Sequence, residues 1–340
     1  MKALVFQGAG QMTLEERPDP VPGPAEVVVA VRAAGICGSD VHGYLGATGR
    51  RRPGVAMGHE AAGDVLALGA GVDGVREGDR VALRSILSCG HCPECTAGRP
   101  NICVNRRGLG MHLEGAYAEK VLVPATLAVR LPPDVPYEEA ALIEPLAVAM
   151  HAMSLSPPEP GDTVAIVGAG AIGLLTLLAV RLTNVSCIVV TDRDRHRLDV
   201  ARQLGADVVV DVDANDPVAA VGAATEGRGA DVVFEAVGVA AAAAQSTAVA
   251  RSGGRITWIG NSAPTVELSM QEVVTRELVL RGAYGFRDEF EQAAEAIATR
   301  RIDVRPLIEL TAPLSEGPEL FRRLGAREID AVKVVLEPGG

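Results

Sequence analysis

The stretch that most constrains this chain runs from Thr163 to Asp192, TVAIVGAGAIGLLTLLAVRLTNVSCIVVTD. It reads as strand, tight glycine turn, helix and strand. Val164 to Val167 is apolar on both faces, as a buried parallel strand has to be. Gly168, Gly170 and Gly173 then spell G-x-G-x-x-G, with Ala171 and Ile172 inside the motif. The first glycine permits the sharp turn, the second lets the backbone approach a pyrophosphate, and the third lets the helix pack close to the strand. The helix start offers free N–H groups and a positive dipole end to that pyrophosphate. Asp192 ends the next strand, about 20 residues on, where a carboxylate accepts the ribose hydroxyls of a dinucleotide. A transmembrane helix is the competing reading, because Thr163 to Val180 carries no charge. That run has only the minimum length for a span, and three glycines at fingerprint offsets break it.

A chain of 340 residues is too long for one ordinary core and suggests two domains. The net charge of −11 argues against a nucleic-acid or anionic-membrane partner, which calls for a basic face. The start, MKALVFQGAGQ, does not have the form of a signal peptide. Four of the six cysteines fall in one short stretch, as metal ligands do and a disulfide framework does not, so a cytoplasmic location is expected.

Residues 1 to about 145 read as mainly β, with many Gly/Pro breaks: Met1 to Phe6, Glu26 to Ala33, then GDVLALGAGV and GDRVAL. Arg50 to Pro53 reads as surface loop. Cys89, Cys92, Cys95 and Cys103 have the spacing of thiolates that wrap one tetrahedral zinc in a closed site. With no open position, that site is structural and orders a lobe too small for its own core. His91 lies between two of these ligands as a bystander. A second group is spread over Gly35-Ile-Cys37-Gly-Ser39-Asp40-Val-His42 and Gly58-His59-Glu60. Cys37 and His59 form an N,S pair suited to a catalytic zinc, which needs a third protein ligand and one open position. The third ligand is Glu60 or Glu144; the latter sits amid AALIEPLAVAM, where a buried glutamate needs a partner. Asp40 is placed to orient His59 through its second nitrogen.

On these motifs the sequence resembles the zinc-dependent medium-chain dehydrogenase/reductase family, nearest its sorbitol (polyol) and 2,3-butanediol dehydrogenase branch. The matching segments are MKAL, GICGSDVH, GHEAAGDV, GDRV, CGHCPECTAGRPNIC, EGAYAEKVLVP, ALIEPLAVAMHA, GAGAIG, GADVVFEAVG and GGRITWIG. The resemblance implies an α/β chain with a GroES-like, mainly β catalytic domain, residues 1–145 and 287–340, carrying a structural-zinc lobe at about 86–107. Residues 146–286 would form a Rossmann cofactor domain with a doubly wound parallel sheet. It implies two zinc ions per chain. Cys37 and His59 hold the catalytic one with Glu60, and Glu144 binds directly or through water; Cys89, Cys92, Cys95 and Cys103 hold the structural one. Ser39 would bond the substrate oxygen and begin a proton relay that runs through the nicotinamide ribose to His42. Oligomers are usual in the family, dimers through the edge of the cofactor-domain sheet and often tetramers among microbial members; Leu278 to Leu280 is a candidate edge.

From Leu146 to Tyr284 strands and helices alternate in the doubly wound manner. Strands are expected at Asp207 to Val210, Asp231 to Glu235, Arg255 to Gly260 and Leu278 to Gly282, with helices at Arg195 to Leu204 and Val239 to Ala250. Beyond Asp192, the resemblance places Arg197 near the adenosine ribose, Val237, Gly238, Ile259 and Gly260 along the nicotinamide, and Lys333 near the cofactor. The Asp192 carboxylate repels a 2′-phosphate and so favours NAD over NADP. Arg193 beside it is the complication, since arginine accepts such a phosphate. The reaction implied is reversible oxidation of a secondary alcohol to its ketone, with zinc lowering the alcohol's pKa and a hydride passing to the nicotinamide. Arg281-Gly-Ala-Tyr284-Gly-Phe286 lacks the Arg-Tyr pair of the sugar-polyol enzymes and is similar to the butanediol pattern. A short-chain diol, a polyol and threonine therefore all stand as substrates. Two rivals are of another class. A zinc-ribbon nucleic-acid binder conflicts with the acidic charge, and a non-enzymatic nucleotide-binding relative need not keep Cys37, Ser39, His59 and Glu144 together.

Overall fold

The computed structural model describes residues 1–47 and 49–339. They form two compact units, Met1–Glu144 with Phe290–Gly340, and Pro145–Glu289.

In the first unit β1 (Lys2–Gly8) and β2 (Gln11–Glu16) pair as an antiparallel hairpin. β3 (Glu26–Gly35) is long, apolar except at Glu26 and the exposed Arg32, buried over most of its length, and is the hub of a seven-stranded sheet. Its neighbours are β4 (Glu60–Leu68), which leads on to β5 (Arg80–Leu83), and β8 (Lys120–Pro124). Between β3 and β4 the chain makes a short helix, α1 (Gly38–Tyr44). The segment after β5 leaves the sheet as a lobe: β6 (Ile86–Leu87) and β7 (Arg107–Gly108) pair across its base, and α2 (Pro93–Thr96) starts on its Cys-Pro step. β9 (Ala128–Arg130) pairs with β5, and α3 (Tyr137–Ala140) runs into α4 (Ile143–Leu155). Pro145 is tolerated there because the first turn of a helix needs no internal N–H bond.

The second unit carries β10 (Thr163–Val167), α5 (Ala171–Val180), β11 (Cys187–Asp192), α6 (Arg195–Gln203), β12 (Val208–Asp211), α7 (Pro217–Ala224), β13 (Ala230–Glu235), α8 (Ala240–Val249), β14 (Ala250–Trp258), α9 (Met270–Thr275) and β15 (Val279–Gly282). Every strand pair is parallel, in the order β12-β11-β10-β13-β14-β15. That is the strand order of the dinucleotide fold, with its switch point at β10. β10 and β13, the two central strands, are buried at every residue. Asp194 caps α6 and Asp216 caps α7, the latter with Pro217 at the first helical position. The uncharged run that suggested a membrane span divides into a strand of five residues and a helix of ten. Among the described residues no helix is long and apolar enough to cross a membrane.

The chain returns through α10 (Glu289–Ala298), β16 (Ile308–Pro313), α11 (Gly317–Gly325) and β17 (Lys333–Glu337). β17 pairs with β3 and closes the first unit's sheet. α11 turns Leu320 and Phe321 inward, where Phe321 meets the rings of Tyr44 and Tyr117. Full burial of one such aromatic side chain contributes about 2–3 kcal/mol.

Candidate functional site

Cys37 is the residue that caps α1, just past the end of β3. His59 and Glu60 follow Gly58, whose φ of +99° turns the chain into β4. The register of β3 against β4 places Gly35 opposite Glu60. A Cβ on Gly35 would lie 2.3 Å from Glu60 Oε2, so the glycine is what makes room for the carboxylate. The ligand atoms of Cys37, His59 and Glu60 lie within 4.8 Å of one another. His59 Nδ1 is 3.4 Å from Asp40 Oδ1 and makes no hydrogen bond of good geometry; Glu60 Oε1 is likewise buried without a partner. With His59 Nδ1 turned to the Asp40 carboxylate, the ring's other nitrogen is left for a ligand; an orphaned carboxylate oxygen beside a thiol is costly in a protein interior, and a borderline-soft cation removes the cost. The residues therefore fit a zinc with protein ligands of S, N and O type.

Glu60 Oε2 accepts from Lys333 Nζ at 2.7 Å, and Lys333 also lies 3.3 Å from the Ile36 carbonyl. Lys333, expected near the cofactor, is thus buried against Glu60. The negative charges of Glu60, Cys37 and Glu144 raise its pKa against the opposing effect of burial. Glu144 is buried at the start of α4 and accepts from Ser85 Oγ at 2.5 Å, outside the three-residue cluster. Burial, with the Glu60 charge, pushes its carboxyl up to about 7 despite Ser85 and the nearby cations. Ser39 is exposed and its hydroxyl donates to Cys37 Sγ at 3.3 Å. His42 is half-buried on α1; burial and then the charge of Arg327 hold its pKa below the ordinary value. Tyr44, at the end of α1, is buried and donates to the Gly10 carbonyl.

In the lobe, the sulfurs of Cys89, Cys92, Cys95 and Cys103 approach pairwise at 3.5–4.0 Å. Four thiolates about 2.3 Å from one zinc stand about 3.8 Å apart at the corners of a tetrahedron. His91 Nδ1 bonds the Cys89 carbonyl and is not part of the cluster. All six cysteines are free thiols.

The second unit assembles the glycine motif and its acid. Gly168 has φ +100°, and a Cβ there would strike Val237 at 2.5 Å. A Cβ on Gly173 would lie 1.8 Å from the Gly168 carbonyl, which makes its bare backbone a requirement of helix–strand packing. Gly170 caps α5, ahead of Ala171 and Ile172. Asp192 Oδ2 accepts from the Ala169 N–H at 2.6 Å, while Oδ1 accepts from Arg193 and Asp194. Arg193 is exposed and turned to Asp213 at 3.1 Å. The Arg197 guanidinium passes close to Gly170. Glu235 accepts from the N–H groups of Val237 and Gly238, and its carbonyl accepts from Ile259 and Gly260. Val237, Gly238, Ile259 and Gly260 are thereby gathered at the C-terminal ends of β13 and β14, next to the glycine motif.

A doubly wound dinucleotide fold joined to a β domain with one three-donor cluster and one four-thiol cluster defines a metal-dependent, nucleotide-linked oxidoreductase. Comparison with known proteins gives the family. Residues 23–133 match the alcohol dehydrogenase GroES-like domain, and residues 171–299 the zinc-binding dehydrogenase family. A sorbitol dehydrogenase of Halalkalibacterium halodurans is 33% identical, over 99% of this chain and 99% of its own length. An L-threonine 3-dehydrogenase of Symbiobacterium thermophilum is 35% identical, over 99% and 98%. The crystal structure of a zinc-binding dehydrogenase of Sinorhizobium meliloti bound to NADP superposes with a TM-score of 0.93, at 35% identity and 99% coverage of each chain. The chain belongs to the zinc-type medium-chain dehydrogenase/reductase family and is an NAD(P)-dependent zinc dehydrogenase.

Proposed function

We propose that this enzyme oxidises a secondary alcohol, a polyol or short-chain diol, to the ketone with NAD, and that the reaction is reversible. The observation that carries this reading is the convergence of Cys37, His59 and Glu60, with Glu60 Oε1 buried and left without a partner. A zinc held by these residues supplies Lewis acidity that lowers the pKa of a substrate alcohol. NAD, bound over Gly168 to Gly173, supplies the hydride acceptor. Lys333 neutralises Glu60, so the ligand set is not burdened by a second uncompensated carboxylate. The Ser39 hydroxyl, adjacent to Cys37, would take the alcohol proton as it releases its own, and His42, its pKa held low, would hand a proton on to solvent. Glu144, tied to Ser85, holds its carboxyl at the side of the cluster. Arg193, paired with Asp213, leaves the Asp192 carboxylate to face the ribose and so supports NAD. The free thiols fit a reducing, cytoplasmic setting.

The test is NADH formation by zinc-loaded protein with sorbitol, xylitol, 2,3-butanediol, threonine and ethanol. Turnover of one secondary alcohol, lost on chelation and lost in Cys37→Ser and His59→Ala while NAD still binds, is the expected result. Retained activity in both variants would rule out the assigned metal centre. The threonine reading gains only if threonine outpaces every diol and polyol on this panel.

A further inference from the structure

Arg50, Arg51 and Arg52 form a run that reads as loop surface, yet the middle side chain is only 4% exposed. Its Nη2 donates to Asp40 Oδ1 at 2.5 Å, and its Nη1 to the Gly110 carbonyl at 2.9 Å. The other Asp40 oxygen accepts from Tyr117 Oη at 2.6 Å. Asp40 has no exposure at all, and Oδ1 is also the atom that faces His59.

The fold makes specific space for this arginine. A Cβ on Gly43 of α1 would lie 2.6 Å from Arg51 Cγ and 2.7 Å from its Nε. The arginine stem therefore crosses α1 where the helix has no side chain.

A carboxylate this deeply buried needs a compensating cation and filled acceptor positions. His59 is neutral when it ligates a metal, so it cannot be that cation in the loaded enzyme. Arg51 is the guanidinium that faces Asp40. Its planar fork ties the carboxylate to a second fixed point, the Gly110 carbonyl, which a lysine ammonium does less well. We propose that Arg51 is a positioning residue of the metal centre, pinning the Asp40 carboxylate in the orientation that sets the ring of His59. The proposal rests on the metal-centre reading above.

Three variants test it: Arg51→Gln, Arg51→Lys and Gly43→Ala. Gly43→Ala leaves Arg51 in the chain but fills its seat, and alanine is the better helix former, so a loss there is not a loss of helix. The probe is Zn²⁺ alone, titrated against a chromophoric chelator, with Co²⁺ absorption reporting the Cys37 thiolate bond. The expected result is roughly a tenfold or greater weakening of zinc at the Cys37 cluster in Arg51→Gln, the scale of such supporting partners. Gly43→Ala and Arg51→Lys should move the same way by smaller factors, while the four-cysteine lobe keeps its zinc. Affinity and cobalt spectrum unchanged in Arg51→Gln and Gly43→Ala would overturn the proposal. Should Arg51→Gln not fold, Arg51→Lys and Gly43→Ala decide on the same criterion. If the parent itself holds one zinc, and Cys37→Ser does not alter the count, the metal-centre reading fails. Two zincs in the parent with indifferent variants would sink the Arg51 role alone.

Discussion

Asp192 shows how one side chain serves both structure and selection. Its carboxylate accepts three backbone N–H groups, from Ala169, Arg193 and Asp194, and so locks the glycine turn to the end of β11. On the proposed reading the same charge would meet a ribose hydroxyl and repel a 2′-phosphate. Asp192→Asn keeps the outline and removes the charge, and its amide nitrogen gives up the bond of one of the two oxygens. A charge-assisted hydrogen bond is worth about 1.5–3 kcal/mol, so NAD binding should weaken about tenfold or more, and NADP should weaken less or improve. Cofactor titration by fluorescence measures both; an unchanged NAD-to-NADP ratio would remove Asp192 as the selector. Residues of this kind are readable from sequence because their chemistry is fixed by short spacing: GAGAIG, the Cys89 to Cys103 run, His59 beside Glu60. Arg51, Tyr117 and Ser85 are not. Tyr117 reaches Asp40 across 77 positions and Ser85 reaches Glu144 across 59, and no local pattern encodes such meetings. An arginine in a run of three carries the signature of a solvated loop, and only the Gly43 gap beneath it makes Arg51 a buried one.

At the scale of elements, strands rich in β-branched residues stand out in the sequence, as at β3, β10 and β13, because continuous burial demands continuous apolarity. α1 does not, since Gly38-Ser39-Asp40 is a poor helix start by propensity and is held by its setting between β3 and β4. α7, α11 and β16 are also absent from the sequence reading, although Asp216-Pro217 is a helix-start signal that marks α7. One element junction has a measurable energy. Glu289, the first residue of α10, is bonded by His151 at 3.0 Å and by Ser154 at 2.9 Å of α4, and by the Arg287 N–H. Burial alone would raise its carboxyl pKa, but the His151 bond and the Arg287 N–H outweigh burial and bring it to about 2, against an ordinary 4.5. A carboxylate depressed by folding stabilises fully above its unfolded pKa, and the contribution drains away as pH falls through the folded value. The window is therefore pH 4.5 down to about 2. Glu289→Gln should cost about 2 kcal/mol at neutral pH and flatten the loss of stability across that window. Urea unfolding followed at Trp258, the single tryptophan, reads it out. Equal stability of the two proteins at neutral pH would show that the bonds at Glu289 carry no net energy.

For the whole molecule the open question is what covers the ends of the six-stranded sheet. The β12 end is short and blunted by charge: Asp207 lies beside it, and Asp211 on it is paired with Arg195. Such features keep a strand edge from pairing with another chain. The β15 end is different. Val279 is 41% exposed on the strand, and Met270 and Val274 of α9, just before it, are 77% and 66% exposed. Met270 and Val274 are four residues apart, which puts them on one face of the helix. Apolar side chains beside an unpaired parallel edge make a surface that water does not favour and a second copy of the same edge satisfies. The net charge of −11 opposes association at long range, so the contact has to be apolar at its centre to hold. The expected assembly is a homo-oligomer built across β15, either a dimer or a tetramer made of two such dimers. Light scattering at micromolar concentration should give a mass at least twice the chain's 35.2 kDa. Val279→Lys with Met270→Glu should halve the mass, to one chain from a dimer or to two from a tetramer, while circular dichroism and NAD binding persist, because neither side chain contributes to the glycine motif or its acid. A parent protein of single-chain mass would remove the edge as an interface. An oligomer undisturbed by the double variant would move the interface to another face.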